Sequence, residues 1–228
     1  MSPAMGERPV PVPPAVAAAV FGERLGLAAR YAALLAGSGV ERGLIGPRET
    51  ERIWQRHVLN CAVIGESVPA EAEVVDVGSG AGLPGIPLAL ARPDLRITLL
   101  EPMARRVAWL MEVIGELGIA VRVYRGRAED TAVRSALGGC DVVTARAVAP
   151  MGRLSGWTLP LLRPGGLLVA MKGGTAGDEV ARDRAVIQGF GGRAIRLYDC
   201  GSGIVDPLTR VVLVERRVGA QIPRGRAN

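Results

Sequence analysis

Short apolar runs alternate with longer stretches of helical periodicity beyond Glu73, and no other feature limits the possible folds of this chain so strongly. The runs are, in order, VVDVG, RITLLEP, VRVYRGR, CDVVTARA, GLLVAMKG, RAIRLYDC and RVVLVERR. The stretches between them that favour helix span about 84–91, 103–117, 129–137, 150–162 and 177–189. Strands that alternate with helices pair in parallel through crossover connections, so the pattern predicts an α/β fold.

The last two apolar runs are separated by GSGIVDPLT, a connection that is rich in turn residues and has no helical periodicity. Neighbouring strands that are joined by a turn pair antiparallel. We therefore expect a Rossmann-like sheet of seven strands, mostly parallel, with one antiparallel edge strand.

Two segments with helical periodicity precede this region, one from Pro14 until Gly37 and one from about Pro47 to Ile64. Apolar side chains recur on one face of each segment, as in helices that pack on a core. They predict a small helical cap on the N-terminal side of the α/β domain. The predicted units are a flexible proline-rich start at 1–13, the cap at 14–70, the α/β domain at 71–217 and a basic tail at 218–228.

The net charge of +6 favours a polyanionic partner such as nucleic acid, because arginine contacts with phosphates release bound counterions. Three widely spaced cysteines and a single histidine predict neither a disulfide framework nor a metal site. The apolar stretch near the start is short and interrupted by prolines, so no membrane span is expected. Together these features favour the reducing cytoplasm.

A glycine-rich loop, GAGLPG at 80–85, follows the first predicted strand and matches the pattern GxGxxG. Glycines at such a loop let a ligand approach the backbone closely. Glu101 follows Gly82 by 19 residues, near the spacing at which an acidic residue meets a ribose hydroxyl. Nicotinamide dinucleotides and S-adenosylmethionine both contain adenosine, so this pattern alone does not distinguish them.

Two features favour S-adenosylmethionine over a dinucleotide. A dinucleotide places its pyrophosphate on N–H groups at a helix N-terminus, and Pro84 and Pro87 remove two such donors. Asp76, two residues before Gly78 at the end of the first strand, is expected to face a ligand's ammonium group, with a cap on the following loop as the alternative. S-adenosylmethionine has a cationic amine and sulfonium and no phosphate, so its charges agree with this loop.

The ordered segments DVGSGAGLPGIP, LLEP, RRVAWL, GRAED, DVVTARA and LLRPGGLLVAMKG resemble the ribosomal RNA small-subunit methyltransferase G family over about residues 40–215. The resemblance implies a class I S-adenosylmethionine-dependent methyltransferase fold with an N-terminal helical cap. It also implies methyl transfer to N7 of one guanine in small-subunit (16S) ribosomal RNA, near the decoding centre. The implied partner is 16S rRNA or an assembly intermediate of the small ribosomal subunit, bound by a cytoplasmic monomer.

The resemblance also transfers cofactor contacts to individual residues. Gly78 admits the cofactor to the backbone, and Leu83 supplies an apolar wall. The pair Ala128 and Glu129 follows the third strand, where it can meet the adenine edge. Arg146 ends the fourth strand and can bind the cofactor carboxylate, hydrogen-bond the guanine, or pair with a neighbouring acid. The predicted cofactor site consists of these residues together with Asp76, Gly80 and Glu101.

Little acid–base machinery is expected, and no catalytic residue is assigned. Guanine N7 carries a free lone pair, so placing the base in line with the methyl group supplies most of the catalysis. Cys140 opens a strand away from the predicted cofactor end and is expected to be packing rather than a nucleophile. His57, the only histidine, is expected to pack or to contact phosphate on the cap helix, with a general base as the alternative.

The cap departs from the family pattern at two places. Gly-Leu-Ile stands at 43–45 where the family has Asn-Leu-Thr, and His57, Asn60 and Cys61 stand where it has His-x-x-Asp-Ser. These changes weaken the transfer of substrate contacts to the cap. RNA contacts are instead expected from arginines, namely Arg48, Arg52 and Arg56 on the cap and Arg216, Arg217, Arg224 and Arg226 near the C-terminus. The three cap arginines recur every four residues, and an ordinary solvated helix face is the alternative for them.

Other functions remain open on the residues alone. A methyltransferase with this cofactor site could act on another RNA base, a protein or a small molecule. A nicotinamide-dependent oxidoreductase is disfavoured by the prolines of the loop and by the lack of a separate catalytic domain. A ribosome-binding protein without activity is disfavoured by the intact glycine-rich loop.

Overall fold

The computed structural model describes residues 11–219. Most of the predicted flexible start (1–13) and of the predicted basic tail (218–228) lies outside the described residues, including Arg224 and Arg226. The described chain forms a group of helices first and then a seven-stranded sheet with helices on both faces.

The cap consists of two helical runs in which the winding of the backbone changes repeatedly. The first contains α1 (Ala17–Phe21), a 3₁₀ turn (Gly22–Arg24), α2 (Leu25–Leu34) and a π turn (Leu35–Gly39). The second contains a 3₁₀ segment (Pro47–Arg52), a π segment (Ile53–Leu59), α3 (Asn60–Ala62) and a 3₁₀ turn (Val63–Ser67). Both predicted cap helices are confirmed in position, whereas their winding departs from the regular α-helix that apolar periodicity predicts.

Glycine and proline determine where the second run begins. Gly43 adopts a φ of +65°, which L-residues rarely tolerate, and thereby interrupts the helical backbone. Pro47 then starts the second run, at a position where a backbone N–H would have no helical partner. Ile53, Trp54 and Val58 of this run are buried in the apolar cluster that the cap shares with the sheet. Burial of apolar side chains therefore holds the run in place.

The sheet is built from strands that match the predicted runs. They are β1 (Glu73–Val77), β2 (Arg96–Glu101), β3 (Arg122–Arg125), β4 (Cys140–Arg146), β5 (Leu162–Met171), β6 (Gly192–Cys200) and β7 (Thr209–Arg216). The connecting helices are α4 (Gly85–Ala91), α5 (Ala104–Leu117), α6 (Thr131–Leu137), α7 (Met151–Thr158) with a 3₁₀ turn (Leu159–Leu161), and α8 (Ala176–Gly189). The predicted alternation of strands and helices is thus confirmed.

The strand order is β3-β2-β1-β4-β5-β7-β6. The strands β1 to β5 run parallel to one another, whereas β7 runs antiparallel to both β5 and β6. The predicted hairpin of the last two strands therefore forms one edge of the sheet, with β6 as the rim strand. The predicted mostly parallel sheet with an antiparallel edge is confirmed.

Alternate side chains along the central strands point to opposite faces and build two apolar layers. Val74 of β1 and Val142 of β4 pack in the layer that contains the cap, α4 and α5. Val75 and Val143 pack in the other layer, with α6, α7 and α8. Because both faces are covered, the central strands are almost entirely apolar. A charged side chain inside such a strand, as Asp76 in β1, therefore needs its own polar partners.

Candidate active site

A cavity of about 270 Å³ lies where the cap meets the carboxyl ends of β1 and β4. Ligands of open α/β sheets bind at this edge, where the loops after the parallel strands come together. The cavity is lined by Leu44, Ile45, Gly46, Glu49 and His57 of the cap, by Gly78, Ser79, Gly80, Ala81 and Leu83 of the glycine-rich loop, and by Arg106, Arg146 and Ala147. Four of the predicted site residues are thus brought together, namely Gly78, Gly80, Leu83 and Arg146.

Glycine is required at two positions of the loop for different reasons. Gly78 has a φ of +71°, and a Cβ added there would approach Val148 Cγ2 to 2.9 Å. Gly80 has a φ of +58°, and the one described atom within 4 Å of an added Cβ is the carbonyl oxygen of Gly78, at 3.8 Å. The loop therefore packs tightly behind Gly78 and leaves open space beside Gly80, on the side of the cavity.

Asp76 supports this loop from below. Its side chain is fully buried, and its carboxylate accepts hydrogen bonds from Thr144 Oγ1 (2.9 Å) and from Gly85 N (3.1 Å). Burial raises the pKa of Asp76 to about 6, an effect that the hydrogen bonds oppose only in part. The expectation that Asp76 faces a ligand's ammonium group is corrected to a supporting role, because its carboxylate is enclosed by protein.

Glu101 supports the same loop from the end of β2. Its Oε2 accepts a hydrogen bond from Gly80 N (2.9 Å), and its Oε1 accepts one from Met103 N (3.0 Å). The residue is 1% exposed, although each carboxylate oxygen retains a further lone pair. Its contact with a ribose hydroxyl stays a prediction.

The two buried acids change what the glycine-rich loop can bind. The N–H groups of Gly80 and Gly85 donate to these carboxylates and are not available to a phosphate. Pro84 and Pro87 have no N–H to offer. Acidic groups behind the loop also oppose the approach of a second anion. The loop is therefore better suited to an uncharged ribose and a cationic ligand than to a pyrophosphate.

The carbonyl of Ala81 ties the loop to both sides of the cavity. Tyr31 Oη of α2 and Trp109 Nε1 of α5 each donate a hydrogen bond to this oxygen, at 3.0 Å. Both aromatic side chains are buried. The cap and the sheet domain thus hold one loop atom between them.

We expect Tyr31→Phe to lower the free energy of unfolding by about 1 kcal/mol, because Trp109 still satisfies the Ala81 carbonyl. The double variant with Trp109→Phe should cost more than the two single changes together, since the buried oxygen then has no donor. Urea unfolding of the three variants measures this difference. Tyr198→Phe, on the exposed face of β6, is the matched control and should leave stability unchanged. If the losses of stability in the two single variants simply added up in the double variant, Tyr31 and Trp109 would not share the Ala81 carbonyl as their acceptor.

Ala128 and Glu129 lie outside the cavity lining, in the turn that follows β3. A hydrogen bond from Gly126 N to Glu101 O (3.3 Å) places this turn beside the end of β2. Ala128 is buried, whereas the Glu129 side chain is 41% exposed. The turn therefore lies at the carboxyl ends of the strands but beside the cavity, not in its wall. Its contact with an adenine stays a prediction.

Arg146 crosses from the end of β4 to the cap. Its Nη1 donates to Cys61 Sγ (3.0 Å), and its Nη2 donates to His57 Nδ1 (2.8 Å). Among residues 11–219, no carboxylate forms an ion pair with this partly buried guanidinium. The described residues therefore do not form the ion pair between Arg146 and a neighbouring acid that was the predicted alternative. A desolvated cation without a carboxylate partner favours an anionic group on the ligand.

A larger cavity of about 610 Å³ adjoins the first across Ala147. It lies at the carboxyl ends of β4 and β5 and is lined by Ala147, Val148, Ala149, Pro150, Lys172, Thr175, Asp178, Glu179 and Arg182. Lys172 Nζ donates to Ala149 O (2.7 Å) and to Glu179 Oε1 (2.9 Å), which joins β5 to α8 along the wall. The strand ends therefore carry two adjoining compartments, of which the sequence predicted only the first.

The cap contributes more to the first cavity than the sequence predicted. Ile45, which departs from the family pattern, lines it together with Leu44, Glu49 and His57. Arg106, at the start of α5, lines it as well. The position of Arg106 directly after a strand end was the signal that could have identified it, because helices that follow parallel strands begin at the ligand-binding edge.

Arg216 and Arg217, the two predicted C-terminal arginines within the described residues, do not reach the carboxyl ends of the parallel strands. Because β7 is antiparallel, its last residue Arg216 lies at the level of the amino ends of the parallel strands, where it pairs with Gly192 of β6. Arg216 Nη1 also donates to Leu162 O, at the start of β5. Arg216 and Arg217 therefore lie away from the cavities, and their contact with RNA stays a prediction. In contrast, Arg48, Arg52 and Arg56 are all exposed on the cap.

The remaining chemical groups carry no catalytic function that the geometry supports. Cys140 begins β4 at the end remote from the cavities, and burial raises its pKa to about 12, so its predicted packing role is confirmed. Within residues 11–219, no three His, Cys, Asp or Glu side chains are grouped so as to hold a metal ion. In the same part of the chain, no helix is both long and apolar enough to cross a membrane.

The strand order and the cavity over the glycine-rich loop define a class I methyltransferase that uses S-adenosylmethionine. A SAM-dependent O-methyltransferase from Thermotoga maritima shares this fold, with a TM-score of 0.54 at 12% identity over 71% of this chain and 66% of its own. The model of the family described as rRNA small subunit methyltransferase G matches residues 24–205, and the chain belongs to that family.

Two relatives named ribosomal RNA small subunit methyltransferase G illustrate the similarity. The protein from Mycolicibacterium gilvum is 55% identical over 204 residues, which cover 90% of each chain. The protein from Salinispora arenicola is 55% identical over 221 residues, which cover 93% of this chain and 91% of its own. The predicted family, fold class, enzyme class and cofactor are therefore confirmed.

The residues of the first cavity also fit S-adenosylmethionine. Gly78 and Gly80 expose backbone to close approach, and Leu83 offers apolar surface. Arg146 offers a cation without a carboxylate partner among residues 11–219 to the carboxylate of the methionine moiety. The N–H groups of Gly80 and Gly85, in contrast, donate to buried carboxylates and are not available to a pyrophosphate.

Proposed function

We propose that this protein transfers the methyl group of S-adenosylmethionine to N7 of one guanine in 16S rRNA, near the decoding centre. The observation that carries the proposal is the pair of cavities that adjoin at Ala147. Methyl transfer requires donor and acceptor side by side, so two adjoining compartments suit it. The name of the relatives, ribosomal RNA small subunit methyltransferase G, supports rRNA as the substrate class.

The first cavity binds the donor in this proposal. Arg146 binds the cofactor carboxylate through the N–H groups that His57 and Cys61 leave free. Glu101 and the turn that follows β3 serve the ribose and the adenine. When bound, S-adenosylmethionine supplies a methyl group on a cationic sulfonium. The backbone of the glycine-rich loop would hold the donor next to Ala147, the residue that the two cavities share.

The second cavity binds the guanine base. Lys172 Nζ has three N–H groups, and its contacts with Ala149 O and Glu179 Oε1 use two of them. The third can donate to guanine O6, the acceptor adjacent to N7 on the same edge of the base. Lys172 thereby orients N7 toward the first cavity.

This arrangement needs no general base. Guanine N7 attacks through a lone pair that carries no proton, so the protein contributes placement and exclusion of water. The described residues agree with this requirement, because His57 is engaged at both ring nitrogens and Cys140 lies at the far edge of the sheet. We therefore assign positioning roles and no proton transfer.

Exposed arginines of the cap supply the contacts with the RNA backbone in this proposal. Arg56 Nη1 lies 3.4 Å from Oε1 of Glu49, a residue of the cavity wall, so Arg56 lies beside the site. Arg48 and Arg52 precede it on the cap. We propose that the protein acts in the cytoplasm as a monomer, on 16S rRNA or an assembly intermediate of the small subunit.

The proposal is tested by mass spectrometry of nucleosides from the small-subunit rRNA of a deletion strain. We expect one 7-methylguanosine to be missing and to return when the wild-type gene is supplied. A gene that encodes Gly80→Asp should not restore it. Retention of every 7-methylguanosine in the deletion strain would refute the proposed target.

A further inference from the structure

Polar contacts join the cap to the end of β4 across the wall of the first cavity. His57 Nε2 lies 2.9 Å from Glu49 Oε2, and His57 Nδ1 lies 2.8 Å from Arg146 Nη2. Glu49, His57 and Arg146 all line the cavity, so this chain of hydrogen bonds is part of the site itself. His57 is 7% exposed, which keeps water from replacing either partner.

These contacts determine the protonation state of His57. A guanidinium has only hydrogen-bond donors, so Nδ1 must accept the bond from Arg146 and therefore carries no proton. The ring proton is then on Nε2, where it donates to the carboxylate of Glu49. The imidazole is consequently neutral and oriented at both nitrogens, as in other carboxylate–histidine pairs that fix one tautomer.

We propose that His57 is a positioning residue whose neutral imidazole, itself oriented by Glu49, holds the guanidinium of Arg146 toward the cofactor. The inference rests on the proposed function, since that function assigns Arg146 to the cofactor carboxylate. It goes further by giving two cap residues a role in cofactor binding. His57 acts through Arg146 and does not contact the reacting atoms.

His57 is the stronger of the two partners that orient Arg146. The other partner is Cys61, and a thiol is a weak acceptor. Burial raises the pKa of Cys61, so the sulfur is an uncharged thiol at neutral pH. An imidazole nitrogen accepts a hydrogen bond from a cation much more strongly. The direction of the guanidinium therefore depends mainly on His57.

The contact between His57 and Arg146 depends on pH. Burial, and then the charge of Arg146, lowers the pKa of His57 below its ordinary value of about 6.5, against the opposing effect of Glu49. Above pH 6.5 the ring is therefore neutral, and the contact is intact. Protonation at lower pH places a hydrogen on Nδ1 and sets two cations against each other. The contribution of this contact to cofactor affinity should be present above pH 6.5 and be lost as the pH falls through the lowered pKa of His57.

Several charged or titratable groups surround His57 and Arg146. They are Glu49 and Arg56 of the cap, Cys61 of α3, Tyr31 of α2 and Asp76 of β1. Asp76 has a pKa of about 6 and so titrates in the same range as a histidine. The pH profile of the wild type alone therefore does not identify His57, and a variant that cannot titrate at position 57 is required.

The tautomer is tested without any activity, because His57 is the only histidine in the chain. In protein without a histidine tag, ¹⁵N NMR at pH 7.5 should show one neutral imidazole with its proton on Nε2. A proton on Nδ1, or a charged ring at that pH, overturns the proposal. The spectrum requires no rRNA, so failure of this inference is distinguishable from failure of the proposed function.

Two substitutions test the role in cofactor binding by calorimetric titration with S-adenosylmethionine. His57→Leu removes the acceptor and should weaken binding about tenfold or more, as expected for a lost hydrogen bond to a charged group. His57→Asn places an amide oxygen near the position of Nδ1 and should keep affinity within about threefold of the wild type. His57→Asn should also lose the decrease in affinity below pH 6.5.

Gln55→Leu, at an exposed position of the same helical segment, is the matched control and should bind like the wild type. Circular dichroism verifies folding, and His57→Asn carries the test if His57→Leu does not fold. Wild-type affinity of His57→Leu, or equal weakness of both variants, overturns the proposal. If His57→Asn showed the same decrease in affinity at low pH as the wild type, the decrease would belong to Asp76. The proposed dependence of the contact between His57 and Arg146 on pH would then be overturned.

Discussion

Replacement of Gly80 by aspartate should raise the dissociation constant for S-adenosylmethionine by about a hundredfold or more while the fold is retained. The φ of +58° at Gly80 is a conformation that aspartate tolerates better than most L-residues. Within 4 Å of the added Cβ lies one described atom, Gly78 O, at 3.8 Å. The new side chain therefore meets little protein and projects into the space that the cofactor requires.

Calorimetric titration measures the loss of binding, and thermal unfolding verifies the fold. Gly80→Asn adds a similar volume without a charge, so it should abolish binding as well if the effect is steric. Gly118→Asp is the matched control, because Gly118 has a φ of +62° and open space at the far end of α5. It should bind the cofactor normally. An affinity of Gly80→Asp within about threefold of the wild type would contradict the placement of the cofactor.

The spacing of apolar residues along the chain and the positions of turn residues were sufficient to predict the sheet. The runs predicted at 96–102 and 140–147 agree with β2 and β4 to within one residue, because buried parallel strands are continuous apolar runs. The start of β5 was predicted four residues late, at 166 instead of Leu162. Pro164 and Gly165 have the composition of a turn, yet they lie in an irregular stretch of β5 where the pairing with β4 shifts register.

The side of the site that the cap forms could not be predicted from local patterns. His57 and Arg146 are in contact although 89 positions separate them in the chain. Apolar periodicity predicts that a helix packs, but it does not encode which strand end the helix covers. The changes of winding between Pro47 and Ser67 also alter which side chains share a face. The motif of the glycine-rich loop, in contrast, requires only neighbouring residues, and the structure places this loop at the cavity.

The direction in which the Asp76 side chain points could likewise not be predicted from the sequence. Asp76 was expected to meet a ligand because it precedes the glycine-rich loop at a strand end. A carboxylate that accepts N–H groups of the loop from below has the same position in the sequence. Only the hydrogen bonds from Thr144 and Gly85 distinguish the two roles. The supporting role explains why a charged residue is tolerated inside a buried strand.

Substitution of Gly85 by alanine should lower the free energy of unfolding by about 2–3 kcal/mol, because the added methyl group has no room. A Cβ at Gly85 would lie 2.3 Å from Leu99 Cδ2 and 2.9 Å from Asp76 Oδ2. Both side chains are fully buried, so neither can move aside without loss of packing or of the hydrogen bond to Gly85 N. The close approach of α4 to β1 and β2 therefore requires glycine.

Urea unfolding of Gly85→Ala measures this loss, with Gly115→Ala as the matched control. Gly115 lies exposed in the last turn of α5 with nothing within 4 Å of an added Cβ, so alanine there should increase stability by about 0.5–1 kcal/mol through its helix propensity. The same substitution should thus have opposite signs at the two sites, because steric exclusion exceeds helix propensity at Gly85. If both variants were stabilised, α4 would not contact the sheet as closely as these distances require.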